Sequence, residues 1–177
     1  GLDGVIATES SISDIDGEKG ILSYRGYSIE ELAEKSTFEE TAFLLLTGEL
    51  PTKTELENFK SDIVGSMDLP TELIDLLQAY PKKSDSMFVL QSVIAVLGSY
   101  YSVDFDAEKL KTNYYTKDYY LKVSAILLGS IGSVVATWNR IKNKKDVISP
   151  DKGMNYAQNF MLMLDDSINT SDLIHRI

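Results

Sequence analysis

The chain has 177 residues, a formal net charge of −10 at pH 7, 44% hydrophobic residues and no cysteine. This length and composition suit one folded domain with a hydrophobic core and exclude wholesale disorder. The absence of cysteine excludes disulfides and thiolate chemistry, and the acidic balance argues against nucleic acid as a partner.

Local patterns argue against two further classes of protein. No run approaches the roughly eighteen apolar residues that a membrane span needs, so we expect no membrane partner. The start of the chain lacks a basic region followed by an apolar core, which is the pattern of an export signal. We therefore expect a cytoplasmic protein.

Residues 1–29 lack helical periodicity. Short groups of β-branched residues lie on either side of a turn at 16–20, which contains two glycines. This pattern predicts a small β-hairpin or a pair of short strands.

Residues 30–80 have the pattern of four short helices, each started by a capping residue or a proline. Ser28, Thr37 and Thr52 are each followed three positions later by glutamate, the capping-box signature, and Pro70 starts the fourth helix. The predicted helices are Ile29–Lys35, Phe38–Thr47, Lys53–Gly65 and Thr71–Ala79. Their apolar spacing predicts inward-facing residues that include Leu32, Phe38, Ala42, Phe43, Leu45, Leu46, Leu56, Phe59, Ile63, Leu73, Leu76 and Leu77.

Two long helices are predicted within residues 86–143. One covers 86–101, with Ser86 as its cap, and the other covers 116–143, with a polar loop at 102–113 between them. The second helix is apolar on almost every side, which is typical of a helix that is buried on every side.

The second long helix also carries small residues three or four positions apart. Two of them are glycines, each costing about 1 kcal/mol relative to alanine inside a helix, so close helix packing is expected to offset them. The row packs inside one subunit or lies at a subunit interface. We predict the interface, because the preceding elements are too few to cover the helix; its candidate residues are Ala125, Gly129, Gly132, Ser133 and Ala136.

A basic stretch follows this helix and comprises Arg140, Lys142, Lys144, Lys145 and Lys152. It is interpreted as compensation of the negative end of the helix dipole, with contact to an anionic ligand as the alternative. The apolar spacing of residues 154–164 predicts another helix, and residues 172–177 have the pattern of the start of a further one. There the sequence stops without a helix C-cap signal, so we expect it to be part of a longer chain.

The sequence contains no recognisable catalytic pattern. His175 is the single histidine, and glycine-rich GxGxxG loops and GxSxG elbows are absent. Paired tyrosines at 100–101, 114–115 and 119–120 are interpreted as packing at a helix–loop–helix junction. We predict no catalytic, cofactor-binding or metal-ligating residue in this chain.

Several segments resemble the citrate synthase family. Residues 1–5 (GLDGV) resemble the GLEGV opening of bacterial members, and residues 15–27 (IDGEKGILSYRGY) resemble IDGEKGILRYRGY with Ser23 in place of the common arginine. Residues 44–52 (LLLTGELPT) are similar to LLxGELPT. Weaker matches at 86–90 and 155–160 extend the resemblance over the whole chain.

The resemblance implies an acyltransferase that condenses acetyl-CoA with oxaloacetate to give citrate and coenzyme A, the entry step of the tricarboxylic acid cycle. Coenzyme A is then a substrate of the intact enzyme, and no cofactor is expected on this chain. The family's catalytic histidines and aspartate belong to sequence beyond Ile177, so the chain alone is expected to be inactive. Asp85 and Ser86 replace a histidine and a proline that are usual in the family.

The resemblance also implies the fold: an all-α, multihelical, amino-terminal portion of the family's large domain, with a small N-terminal β-hairpin, as one unit over 1–177. Family subunits pair through antiparallel helices, which correspond by order to 86–101 and 116–143. We therefore expect a homodimer, with the remaining carboxyl-terminal part of the enzyme as a further partner. A non-catalytic dimerisation module and part of a 2-methylcitrate synthase are the alternatives.

Overall fold

A computed structural model of the chain describes residues 8–102 and 116–165. The described residues form a small sheet followed by helices, so the predicted mainly α fold with an N-terminal hairpin is confirmed. Internal contacts divide the chain into two compact units, Gly1–Asn58 and Phe59–Ile177, where the sequence predicted one.

The sheet of the first unit has three antiparallel strands in the order β1 (Ser13–Asp16), β2 (Ile21–Tyr24) and β3 (Tyr27–Ser28). Ile15 lies opposite Leu22 in the β1–β2 ladder. The predicted hairpin is therefore present, and β3 adds a strand that the sequence did not predict. One of the β-branched groups that precede the turn, at residues 5–8, lies mostly outside the described residues.

Two helices complete the regular structure of the first unit before α3 begins. The helix α1 (Ile29–Lys35) starts where the Ser28 side chain accepts a hydrogen bond from the Glu31 amide. The helix α2 (Phe38–Thr47) starts with a full capping box between Thr37 and Glu40, and Gly48 ends it with a φ of 91°. Both helices have the predicted bounds, because local capping chemistry sets them.

The predicted inward face of α2 is partly wrong. Phe38 is 46% exposed and Leu46 is 41% exposed, whereas Phe43 and the unpredicted Leu44 are buried. Residues 43–46 are four apolar residues in a row, a pattern that fits more than one helix face. Tertiary packing therefore decides which of them face the core.

The helices α3 (Lys53–Gly65), α4 (Thr71–Ala79) and α5 (Ser86–Ser102) follow. Thr52 and Glu55 exchange the two hydrogen bonds of a capping box at the start of α3. The cap of α5 is Asp85 and not the predicted Ser86, because the Asp85 carboxylate accepts a hydrogen bond from the Met87 amide at 2.8 Å. A carboxylate at this position also interacts favourably with the positive end of the helix dipole.

The long helix α6 (Lys117–Lys142) starts after Thr116, whose side chain accepts from the Tyr119 amide. The final described helix, α7 (Tyr156–Leu164), starts two residues later than predicted because Asn155 is its cap, paired with Gln158 in a capping box. The predictions for most of 102–113 and for 172–177 lie outside the described residues.

The core of the second unit forms around α6. One cluster joins α4, α5 and α6 and comprises Leu69, Leu73, Leu77, Val89, Val93, Leu97, Val134, Trp138 and Ile141. The expectation that no run approaches a membrane span is corrected by α6, which contains an 18-residue window with a mean hydropathy of 1.5 and is long and apolar enough by length and composition alone. Half of that window is buried inside the chain, and a helix in a protein core can pass the same test of length and composition.

Candidate self-association surface

One side of α6 packs against other segments of the second unit so closely that backbone atoms are in contact. A Cβ added to Gly129 would overlap the backbone carbonyl oxygen of Ile63 at the end of α3. A Cβ added to Gly132 would lie 2.8 Å from the hydroxyl oxygen of Tyr156, the first residue of α7. The two glycines therefore permit approaches that any larger residue would prevent.

Polar and apolar contacts continue along this side. The Ser130 hydroxyl donates to the backbone carbonyl of Ser66 at 3.2 Å. The Ser133 hydroxyl lies 3.8 Å from the sulfur of Met163 in α7. Ala136 packs in a cluster with Met163 and Met67, which follows α3. The side of α6 with small residues is therefore covered from within the same chain.

All five residues that the sequence proposed for a subunit interface are buried in this single chain: Ala125, Gly129, Gly132, Ser133 and Ala136. The contacts of the last four support the other interpretation of the row, packing within one subunit. The residues after α3 and the helix α7 cover this side of α6, which the sequence pattern did not predict. A contact of the row with a second subunit stays a prediction.

A different side of α6 exposes an apolar stripe. Leu127 and Val135 are 38% and 37% exposed, and Tyr120 is more exposed still. Ile131 is partly exposed between them. At 3.6 residues per turn these four positions fall on one face of the helix. No charged residue occurs between Lys122 and Arg140, so the face is apolar along most of the helix.

A groove adjoins this stripe between α5, α6 and the end of α7. Its volume is 420 Å³, and its apolar lining includes Met87, Leu90, Val135, Trp138 and Leu164. Val135 thus belongs both to the exposed stripe and to the wall of the groove. Grooves of this kind beside an exposed apolar face are typical of surfaces that bind another protein.

Trp138 forms a fixed wall of the groove. Its indole nitrogen donates to the Ser86 hydroxyl at 3.2 Å, and its ring meets that of Tyr80 edge-on at 6.4 Å between centroids. The Lys82 ammonium lies 5.8 Å from the Trp138 centroid, within the range of a cation–π interaction. No sequence pattern indicates these contacts, because Tyr80, Lys82 and Ser86 all lie more than fifty positions before Trp138.

Two of the five cations in the basic stretch after α6 contact backbone or carboxylate groups. Arg140 is 4% exposed, and its Nε donates to the backbone carbonyl of Asp146. Lys145 lies 3.8 Å from the Asp165 carboxylate. Arg140 and Lys142 occupy the last turn of α6, which supports compensation of the helix dipole. Contact with an anionic ligand stays untested.

Titratable groups give no indication of a catalytic centre among residues 8–102 and 116–165. These residues contain no cluster of histidine, aspartate and glutamate suited to a metal ion. Burial raises the pKa of the Tyr156 phenol above its ordinary 10.0, and hydrogen bonds from Lys19 lower the pKa of Asp16. His175 lies outside the described residues, and the predicted lack of catalytic residues stays a prediction.

Comparison with known structures defines the class of this fold. The chain superposes on the crystal structure of citrate synthase from Pyrobaculum aerophilum with a TM-score of 0.80 at 33% sequence identity. The match covers 93% of this chain and 41% of that one. The helical arrangement is therefore that of part of a larger, mainly α enzyme.

Sequence comparisons give the family. The family model described as "Citrate synthase, C-terminal domain" matches residues 1–176. A citrate synthase of Synechocystis is 37% identical over 93% of this chain, and 2-methylcitrate synthase 1 of Corynebacterium glutamicum is 33% identical over 93%. The chain belongs to the citrate synthase family. It spans 39% and 41% of the lengths of these two relatives.

Proposed function

We propose that this chain is the amino-terminal part of the large domain of a citrate synthase. The intact enzyme would condense acetyl-CoA with oxaloacetate and release citrate and coenzyme A in the cytoplasm. The observation that carries the proposal is the agreement of sequence and fold along almost the whole chain, with a TM-score of 0.80 to a citrate synthase. Because the resemblance places the catalytic histidines and aspartate in later sequence, the chain alone would be inactive.

Within that enzyme, the role of this chain would be structural. The helix α6 forms the core of its own subunit on one side and presents an apolar stripe on another. We infer that this stripe, with the adjoining groove beside α5, pairs with a second subunit to form a homodimer. An apolar face that stays exposed in an isolated chain supports this role.

The proposal is tested by an assay of two proteins. The 177-residue chain is compared with a product extended along its reading frame to the length of its relatives, using acetyl-CoA, oxaloacetate and detection of the free thiol of coenzyme A. The extended product should release thiol and the chain should not. Turnover by the chain alone would contradict the assignment of catalysis to later sequence.

Two other functions have specific support. The Corynebacterium relative is a 2-methylcitrate synthase, so propionyl-CoA is assayed beside acetyl-CoA, and a preference for it favours that enzyme. The exposed stripe of α6 also fits a non-catalytic dimerisation module. A stop codon directly after Ile177 in the coding sequence would favour the module over either enzyme.

A further inference from the structure

Glu39, in the first turn of α2, is a carboxylate that the chain buries. It is 5% exposed, and every other aspartate and glutamate of residues 8–102 and 116–165 is more exposed than that. Its carboxylate forms no hydrogen bond or ion pair within this part of the chain. The neighbouring Glu40, in contrast, accepts from the Thr37 amide in the capping box. Glu39 is therefore a buried charge without a partner among the described residues.

A buried carboxylate without a partner is costly, because burial removes the water that hydrates it. The positive end of the α2 dipole offsets part of this cost but supplies no hydrogen bond to the carboxylate oxygens. Within the part of the chain that the structure describes, Arg25 Nε is the one side-chain atom that is both sealed from solvent and unpaired. The Glu39 oxygens are therefore not sealed, and a group from outside these residues can reach them.

The basic side chains of the first unit all contact other groups. Residues 1–58 contain thirteen acidic and four basic side chains, a formal charge of −9. The three lysines each contact another carboxylate, at 2.8–3.9 Å, and Arg25 donates to the Ser11 hydroxyl and the Leu45 carbonyl. A basic partner for Glu39 must therefore come from elsewhere, and the negative field of this unit attracts one.

An exposed apolar strip of α2 adjoins Glu39. Phe38 and Leu46 are 46% and 41% exposed, and Ala42 is partly exposed between them. These three positions are four residues apart, so each lies about 40° round the helix from the one before it. Leu46 lies seven residues after Glu39, which is about 20° short of two full turns, so the two residues share one side of α2. A segment that covers the strip would therefore meet the Glu39 carboxylate as well.

We propose that Glu39 pairs with a lysine or arginine from the sequence that follows this chain in the intact enzyme, in a segment whose apolar residues cover Phe38 and Leu46. The proposal rests on the function proposed above and names the chemistry of one contact between this chain and the rest of the enzyme. The chain spans 39% and 41% of the lengths of two relatives, so the intact enzyme has enough further sequence to supply such a segment. A basic and apolar segment complements both the acidic first unit and the strip.

The effect of Glu39→Gln on the melting temperature tests the pair in two proteins, the 177-residue chain and the product extended to the length of its relatives. In the chain alone the substitution should raise the melting temperature by about 2 °C or more, because a neutral amide costs less to bury unpaired than a carboxylate. In the extended product it should lower the melting temperature by about 2 °C or more, because it leaves a buried cation without its carboxylate. Glu34→Gln, at an exposed position of α1, is the control with the same change of charge and should have the same small effect in both proteins.

Hydroxyl-radical labelling read by mass spectrometry tests the cover without any substitution. Phe38 and Leu46 should be labelled severalfold less in the extended product than in the chain alone. Equal labelling in the two proteins overturns the proposal. Labelling of Phe38 that falls as the concentration of the chain alone rises would identify a second copy as the cover and would overturn it too.

The thermal measurements decide the ion pair separately. A melting temperature of the extended product that does not fall with Glu39→Gln overturns the pair. A fall in the chain alone shows that Glu39 already has its partner there, and overturns the pair as well. The thiol-release assay judges the enzymatic assignment independently, since an active product without the reversal of sign keeps the proposed function and rejects the pair.

Discussion

The hydroxyl oxygen of Tyr156 lies 2.8 Å from the point where a side chain at Gly132 would place its Cβ. This distance is shorter than ordinary van der Waals contact, so a side chain at position 132 would force the Tyr156 phenol to move from its place between α7 and α6. The contact places Tyr156 in a half-buried site, which is also why its phenol resists ionisation. The packing of Tyr156 against α6 and the pKa of its phenol are therefore linked.

Gly132→Ala should lower the free energy of unfolding. Helix propensity favours alanine by about 1 kcal/mol, but the overlap with Tyr156 should cost about 1–3 kcal/mol, so a net loss is expected. Urea denaturation measures it. Gly98→Ala is the matched control, because nothing lies within 4 Å of a Cβ at that helical glycine, and it should be neutral or stabilising.

Tyr156→Phe should relieve part of the loss caused by Gly132→Ala. Removing the hydroxyl removes the nearest atom, although two ring carbons remain 3.3 Å from the added methyl group. A double-mutant cycle should therefore give a coupling free energy of about 0.5 kcal/mol or more between the two sites. Additive effects would show that the two residues do not constrain each other.

Tyr156 should also contribute to the pH dependence of stability. Its pKa is raised above 10.0 in the folded state, so the folded state holds its proton more tightly than the unfolded state does. That contribution is complete below the unfolded pKa and is lost as pH rises through the folded pKa. Between about pH 9 and pH 11, the melting temperature of the natural chain should fall more steeply than that of Tyr156→Phe. Parallel curves would exclude the effect.

Asn159 should be among the most sensitive polar residues of the second unit. Its fully buried amide accepts from the Asp151 amide at 2.6 Å and donates to the carbonyls of Asp151 and Met154. Asn159→Asp keeps the shape of the side chain but places a carboxylate oxygen against two backbone carbonyl oxygens. The substitution should lower the free energy of unfolding by about 3 kcal/mol or more. Thermal unfolding measures the loss. Asn58→Asp is the control at an exposed position and should change stability by about 0.5 kcal/mol or less.

The sequence predicted helix bounds well wherever a cap is local. Thr37 with Glu40 and Thr52 with Glu55 are three residues apart, so the interaction that starts each helix is visible in the pattern itself. Ser86 shows the limit of this reasoning. Its hydroxyl accepts from Trp138, fifty-two positions later, while its neighbour Asp85 is the cap.

The candidate site was less accessible to prediction. The small residues of α6 correctly indicated close helix packing, but Gly129 and Gly132 do not reveal which segment approaches them. Their partners, Ile63 and Tyr156, lie far away in sequence. The exposed stripe was hidden for a related reason. A helix that is apolar on nearly every side gives no periodic signal for the side that the chain leaves exposed.

The central claim is that α6 completes the core of its own chain on one side and pairs with a second copy on another. Sedimentation equilibrium at tens of micromolar measures it most directly. The 19.7 kDa chain should have twice its mass, as should Leu50→Asp, a control at an exposed apolar residue of the first unit. Val135→Asp should be a folded monomer. A monomeric natural chain, or a Val135→Asp variant that still dimerises, would contradict the account.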